Sequence, residues 1–340
     1  MPTIRLVAKA CNVSPMTVSH VLNGKVGEVS EETRERVLKA VREMGYRPAA
    51  RKHPSEERKI FNLGIVAGIQ GDTLMLPGYY TDILISLLRA ADHVDQNVTL
   101  FTNSLLHTDS ARSLRVYCDG RCDGLVVIAP PVGSPLVKAL EERGFPIVLV
   151  GDTGDSDETS CVDVDNRAEA YGIVEYLVSK GHRRIGYRGG AEWVRSANER
   201  YEGYLAAMRT HDLDVTPDLC VPRSGNESLL YAEQVERLSL PPERQATALF
   251  CWNDTACGYT VRALQENGRR IPGDVSVIGF DDHPDMSTLD PPVTTMRQPY
   301  AEIGERAIDI LLERIRQPSS PPRREFLKAS LVERGSVASL

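Results

Sequence analysis

Two sets of side chains in this sequence have types and spacings that could do chemistry. The first lies near the N-terminus, where short hydroxyls and amides recur: Thr3, Ser14, Thr17, Ser19, Asn23, Ser30 and Thr33. Such groups let a backbone come close enough to hydrogen-bond a phosphate. They also cap helices, and one side chain can do both. The second set stands where apolar runs end: Asp152, Asn253, Asp254, Asp281 and Asp282. Carboxylates and amides at strand ends suit a polar ligand, because each buried polar group needs a partner. Catalytic patterns are missing: no G-x-G-x-x-G after a strand, no Walker loop, no H-E-x-x-H and no G-x-S-x-G. The cysteines at 11, 118, 122, 161, 220, 251 and 257 form no C-x-x-C, and no His pair has zinc spacing. The expectation is a non-enzymatic binding protein with reduced structural thiols, no metal and no cofactor.

The elements that must position these two sets differ in kind. "TIRLVAKACNVS" opens on Thr3 as an N-cap, and Ile4, Val7, Ala8 and Cys11 recur at helical spacing. Asn12 falls where that helix must stop, since Asn tolerates a left-handed backbone. Ser14 caps a second helix and Pro15 fills its first turn. Val18, Val21 and Leu22 form its inner face; Pro15, Met16, Thr17, Ser19 and His20 stay outside. Ser30 caps a third helix with Val37, Leu38, Val41 and Met44 as its stripe and Gly45 as its end. This pattern predicts a helix-turn-helix domain, and periodicity alone fits a generic three-helix bundle equally well. From Asn62 the rhythm changes. "NLGIVAG", "VTLFTN", "DGLVVIAP" and "FPIVLVG" read as buried strands with helices such as "TDILISLLRAADHV" between them. "RRIGYRGG", "ATALFCWND" and "VSVIGFDD" repeat the pattern, which predicts two doubly wound α/β lobes.

Charge divides the same way. Residues 1–59 hold 12 Lys and Arg against 7 Asp and Glu, and the remainder holds 28 against 40. A basic head on an acidic body meets a polyanion through the head alone. No apolar run reaches about 18 residues, so no membrane span is expected. "MPTIRLVAKACNVS" lacks the apolar core of a signal peptide, which places the chain in the cytoplasm.

"TIRLVAKACNVSPMTVSHVLNG", "VSEETRERVLKAVREMGYRP", "VDNRAEAYGIVEYLVSKGHRRIGYRGG", "SANERYEGY", "CWNDTACGYTVRALQENGRRIPGDVSVIGFDD" and "PPVTTMRQP" resemble the lac-repressor (LacI/GalR) family of bacterial transcription regulators. The resemblance covers head and body. It implies an all-α helix-turn-helix headpiece before a periplasmic-binding-protein-like α/β body. It implies a homodimer on a near-palindromic double-stranded operator, and a small polar effector such as a sugar. The implied divisions are a headpiece at 1–48, a hinge at 49–60, a first lobe at 61–164 with 293–322, and a second at 165–292 with 323–340. "PVTTMRQPYAEIGERAIDILLERI" would thus return to the first lobe, and "RREFLKASLVERGS" would add a strand to the second. An apolar face of "ILISLLRAADHV" would serve dimerisation or sheet packing.

The same resemblance places Pro15, Met16 and His20 at base-reading positions. Arg is frequent at the last, and an imidazole cannot make its bidentate grip on guanine. Effector contacts fall on Tyr79, Tyr80, Asp165, Ser196, Arg200, Asn253 and Asp281. Asp165 fits a helix N-cap equally well, and Arg200 with Asp281 also fits an ion pair between lobes. Trp193 and Trp252 fit core or stacking platform alike. The hinge departs from the family pattern "NAxARSL", whose Leu wedges into the minor groove. Here "AARKHPSEER" puts Ser55 at that position behind Pro54, so little kinking is expected. Arg51, with Lys52, His53 and Arg58, would touch the DNA backbone electrostatically.

Overall fold

The computed structural model describes residues 3–22, 29–44, 61–67, 78–101, 116–221 and 227–340. Asn23, Gly45, Arg51 and the hinge with Pro54 and Ser55 lie outside the described residues. The chain divides into a unit at Met1–Lys59 and a unit at Ile60–Leu340.

The first unit holds α1 (Ile4–Ala10), α2 (Pro15–Leu22) and α3 (Glu31–Glu43). Val7, Ala8, Cys11, Val18, Val21 and Val37 form its core, one inward stripe from each helix. Asn12 takes a left-handed φ of 51° between α1 and α2, the conformation expected of it. Ser14 caps α2 by accepting the Thr17 amide at 3.0 Å. Ser30 caps α3 by accepting the Thr33 amide at 3.4 Å. Thr3 occupies the N-cap position of α1, but its side chain makes no capping bond. Its carbonyl does the work instead, accepting from Leu6 and Val7 at 2.9 and 3.2 Å.

The second unit begins with β1 (Asn62–Ala67), α4 (Gly78–His93), β2 (Asn97–Phe101), β3 (Gly124–Ile128), α5 (Pro135–Glu142), β4 (Ile147–Val150) and β5 (Cys161–Val164). It continues with α6 (Asn166–Ser179), β6 (Ile185–Arg188), α7 (Arg195–Thr210), β7 (Cys220–Val221), α8 (Glu227–Arg237), β8 (Ala248–Cys251), α9 (Asp254–Glu266) and β9 (Ser276–Asp281). It closes with β10 (Thr294–Arg297), α10 (Tyr300–Arg316), β11 (Arg324–Leu327) and β12 (Ser330–Val332). Two six-stranded sheets result, ordered β11-β5-β4-β3-β1-β2 and β12-β10-β9-β8-β6-β7. The central strands are buried along their whole length, which is why they read as continuous apolar runs.

The chain changes sheets three times: after β5, at Gln298–Pro299, and at Lys328–Ala329. This corrects the division expected near the C-terminus. Thr294–Arg297 does not return to the first lobe; it pairs in parallel with β9, Thr294 opposite Ile278. Arg324–Leu327 does not join the second lobe; it pairs in parallel with β5, Arg324 opposite Cys161. The second sheet captures β10 because its side chains are tied there: the Thr295 hydroxyl donates to Asp254 at 2.8 Å. Only then does α10 cross, packing on α4 and over β3, β4 and β5.

α4 and α10 approach closely at Gly304. A Cβ there would lie 2.7 Å from the Ser86 carbonyl carbon and oxygen, both rigid backbone atoms. Gly304→Val should therefore destabilise the body by about 1–3 kcal/mol through overpacking. Urea unfolding followed by fluorescence measures this, and an unchanged midpoint would contradict the close approach.

Candidate functional site

On the head, α2 turns Val18 and Val21 inward and leaves Met16 65% exposed. Pro15 is exposed beside it, and Thr17, Ser19 and His20 are half-buried on the same short helix. Ser14 and Thr17 share a hydroxyl–hydroxyl bond of 2.9 Å. Ser30 donates to the Thr33 hydroxyl at 3.0 Å. The helix N-termini thus present small polar groups at the positive end of the helix dipole, an arrangement suited to an anion.

In the second unit the polar groups gather where the sheets face each other. Arg200, on α7, is 3% exposed. Its NH1 donates to the Trp252 carbonyl at 2.7 Å and its Nε to Asn166 Oδ1 at 2.8 Å. It lies 3.6 Å from Asp281 and stacks 3.5 Å above the centre of the Phe280 ring. Asp281 ends β9 with φ 125°, and Asp282 follows at 58°. Consecutive left-handed residues other than Gly are strained, and here the surroundings hold them. Gln298 Nε2 donates to the Asp281 carboxylate at 2.7 Å and the Tyr300 hydroxyl to its carbonyl at 3.0 Å. Arg297 and Arg334 clamp Asp282 at 2.6 and 2.5 Å. Burial pushes the Asp281 carboxyl up to about 6, with Arg200 pulling the other way.

Asn166 joins the two lobes. Its Oδ1 takes the Arg200 bond, and its Nδ2 donates to Asp163 at 2.9 Å and to Glu199 at 3.3 Å. Asp163 comes from β5 in the first sheet; Glu199 comes from α7 beside the second. Burial first, then the Glu199 charge, pushes Asp163 up to about 7. Burial likewise raises Glu199, and raises Asp152 against the pull of Arg195. Arg195, at the start of α7, reaches across to Asp152 at 3.0 Å and also meets Asp155. The Val132 amide reaches the Trp193 carbonyl at 2.9 Å across the same gap. Tyr79 is half-buried, and its buried hydroxyl fills the space a side chain on Gly151 would need. Among the described residues that hydroxyl has no hydrogen-bond partner, nor has Gln298 Oε1.

The structure therefore brings together Arg200, Asp281 and Tyr79 from the sequence-predicted set. Asp165 is exposed and caps α6, accepting the Ala168 amide at 2.9 Å, the helix-cap role the sequence also allowed. Asp163 lies inside β5, which is buried along its whole length, whereas Asp165 lies beyond the strand end at the surface. Asn253 caps α9, accepting the Ala256 amide at 2.8 Å. Ser196 is half-buried in the first turn of α7, and Tyr80 packs edge-on to Tyr79 at 5.7 Å. Arg200 and Asp281 belong to one lobe, so their ion pair does not bridge the two. Trp193 is exposed and Trp252 half-buried. Asp163, Asn166, Glu199 and Gln298 were missed. The available signal was an Asp inside the apolar run "CVDV", a costly placement unless used.

Asp163 is protonated more readily folded than unfolded, because its folded value of about 7 exceeds that of a free carboxylate. Its contribution to stability is then favourable at low pH and lost as pH rises from about 4 to about 7. Asp163→Asn should melt higher than the unmodified protein at about pH 8 and converge with it near pH 4. Thermal melts across that range check this; a lower melting temperature for the variant at alkaline pH would contradict it.

Comparison with known proteins identifies both parts of the chain. Residues 3–49 match the family model for bacterial regulatory proteins, lacI family, and residues 174–337 match that for a periplasmic binding protein-like domain. The HTH-type transcriptional repressor PurR of Escherichia coli O139:H28 is 33% identical over 343 residues, covering 99% of this chain and 97% of its own. A structure of the transcriptional regulator CelR in complex with cellobiose superposes with TM-score 0.73 at 28% identity, over 99% of this chain and 100% of the other. The lac repressor dimer bound to operator and the anti-inducer ONPF shares the fold at TM-score 0.76 and 22% identity, over 99% of each chain. With a relative 33% identical across almost the whole of both chains, this chain belongs to the lacI family of bacterial regulatory proteins.

Proposed function

We propose that this chain is a DNA-binding repressor controlled by a small polar effector held between its two lobes. The observation that carries this is the buried Arg200–Asn166–Asp281 network, bordered by two polar atoms unpaired among the described residues, Tyr79 Oη and Gln298 Oε1, in a chain that also carries a helix-turn-helix. Tyr79, Tyr80, Ser196, Arg200, Asn253 and Asp281 are the proposed effector contacts, with Asp163 and Asn166 in the place given to Asp165. The names of the relatives support the reading: one is called a repressor, one was solved with cellobiose, one with operator.

On the head, Pro15, Met16 and His20 would meet base edges from the N-terminal half of α2. Thr3, Ser14, Thr17, Ser19, Ser30 and Thr33 would meet phosphates, joined by Asn23 and Arg51. A groove of about 680 Å³ runs between α4 and α10, lined by Ile85, Arg89, Glu305 and Asp309. Ile85 and Leu88 are each 42% exposed there or beside it, which suits a homodimer interface. The effector would set the lobe angle through the three crossing segments, and the dimer would convert that angle into the spacing of the heads. Cleft residues bind and orient; no reaction is part of the proposal. The location proposed is the cytoplasm, and no helix among the described residues is long and apolar enough to cross a membrane.

Fluorescence anisotropy of the full chain on genomic duplex fragments tests the proposal, with and without a panel of sugars, nucleobases and nucleosides. Expected is a near-palindromic site bound with a steep salt dependence. One class of small molecule should change that affinity, and Arg200→Ala should abolish the response. His20→Ala should relax base preference at one position per half-site, by about 1–3 kcal/mol. A chain with no salt-sensitive preference for any duplex would overturn the reading.

A further inference from the structure

The groups at the lobe junction do not balance in charge. Arg195 is engaged by Asp152 and Asp155. Arg200 is engaged by Asp281, Asn166 and the Trp252 carbonyl. Among the described residues, no Lys, Arg or His makes an ion pair with Asp163 or Glu199. Beyond the Val164 amide, which serves Asp163 at 2.8 Å, the two carboxylates have one shared donor, Asn166 Nδ2. Two acids on a single amide nitrogen, one from each lobe, repel each other in a buried setting.

A second observation points the same way. The Tyr79 hydroxyl is buried without a partner among the described residues, and its ionisation is opposed by both Asp163 and Asp281. It therefore sits within electrostatic reach of the pair. Gln298 Oε1, also buried, lacks a donor while the other end of its amide is fixed on Asp281. The junction thus offers two carboxylates and an amide oxygen in want of donors, and one phenol in want of an acceptor. Arg195 and Arg200 offset the charge of the pair only from a distance, so an anionic ligand would add to the excess. A neutral polyol would supply donors and leave the charge. No group of three or more His, Cys, Asp or Glu that could hold a metal ion exists among the described residues. A protonated nitrogen supplies charge and donors together.

We propose that the effector carries a protonated amino or amidine group, seated between Asp163 and Glu199 and drawing the two lobes together. This rests on the reading that the interlobe cleft holds the effector.

Matched probes test it on the full chain by thermal shift and calorimetry: glucosamine, glucose and glucose 6-phosphate as one set; agmatine, butanol and butyrate as another. The amino members should bind, and the neutral and anionic members should bind at least about tenfold more weakly. Glu199→Gln keeps the shape and an acceptor for Asn166. It should melt no lower than the unmodified protein without probe, and should lose at least about tenfold in affinity for the amino members. Asp163→Asn should do the same. That melting point separates lost recognition from lost folding. If a neutral or anionic member binds as tightly as its amino partner, and Arg200→Ala abolishes that binding, the proposal is overturned while the cleft reading stands. If Glu199→Gln and Asp163→Asn fold and bind the amino members undiminished, the proposal is likewise overturned. If no probe of any class binds, both the proposal and the cleft reading fall.

Discussion

The buried charge of Arg200 is the constraint on which the cleft depends. A guanidinium removed from water must be both neutralised and hydrogen-bonded, or it destabilises the fold strongly. Here Asp281 neutralises it, Asn166 and the Trp252 carbonyl accept from it, and the Phe280 ring covers its face. That demand fixes the Asn166 amide. Its oxygen must face the guanidinium, so its nitrogen must face Asp163 and Glu199. One Arg thereby sets which end of an Asn meets the acids, and those acids are left with a donor too weak to neutralise them. The unbalanced charge at the junction follows from the balanced charge beside it.

Lobe angle and site composition are coupled by where the chain crosses. The first crossing places Asn166 one residue beyond Asp165, at the start of α6. The second passes through Gln298, whose amide holds Asp281, and through Tyr300, whose hydroxyl holds the same residue's carbonyl. The third passes through Ala329, whose amide donates to Glu169 at 3.0 Å. Two of the three hinge segments are therefore also site residues. A ligand that prefers one lobe angle need not signal through intervening structure, because its contacts belong to the hinge itself. The left-handed pair Asp281–Asp282 sits at the same point. Its strain is held by side chains from β10, α10 and the C-terminal tail, so a change at Asp281 reaches all three.

What the sequence revealed depended on how strongly local physics dictates each feature. Asn12, Ser14 and Ser30 were legible because a helix end constrains its cap wherever it occurs. The long apolar strands were legible because burial on both faces leaves a continuous signature. β5 was not, since Asp163 interrupts a run of four residues and disguises it as loop. With β5 unseen, Asp165 looked like the site residue and Asp163 did not. The C-terminal crossings were hidden for another reason. Thr294–Arg297 and Arg324–Leu327 are short strands with no pattern naming their sheet; only pairing with distant β9 and β5 decides that. Arg200 and Asp281 were found through family resemblance, whereas Glu199 and Gln298 act through contacts between sequence-distant segments that periodicity does not encode.

The head poses the question of whether one hydroxyl can both cap a helix and hold a phosphate, and its hydrogen bonds answer it. A Ser or Thr hydroxyl has one proton and two lone pairs. As caps, Ser14 and Ser30 use a lone pair each, accepting the Thr17 and Thr33 amides. Each also pairs with the hydroxyl of the residue three further on, which consumes one proton between the two. Each pair thus keeps a second proton in the first turn of a helix; in the Ser30 pair it sits on Thr33, because Ser30 gives its own proton to that hydroxyl. The macrodipole there favours an anion, and in α2 the Met16 amide remains for it, since Pro15 has no N–H and the Thr17 and Val18 amides donate to Ser14. Capping therefore does not compete with phosphate contact; it orients the spare proton for it. In a head whose described residues pack around a core of six small or medium side chains, that arrangement gives a donor a rigid aim.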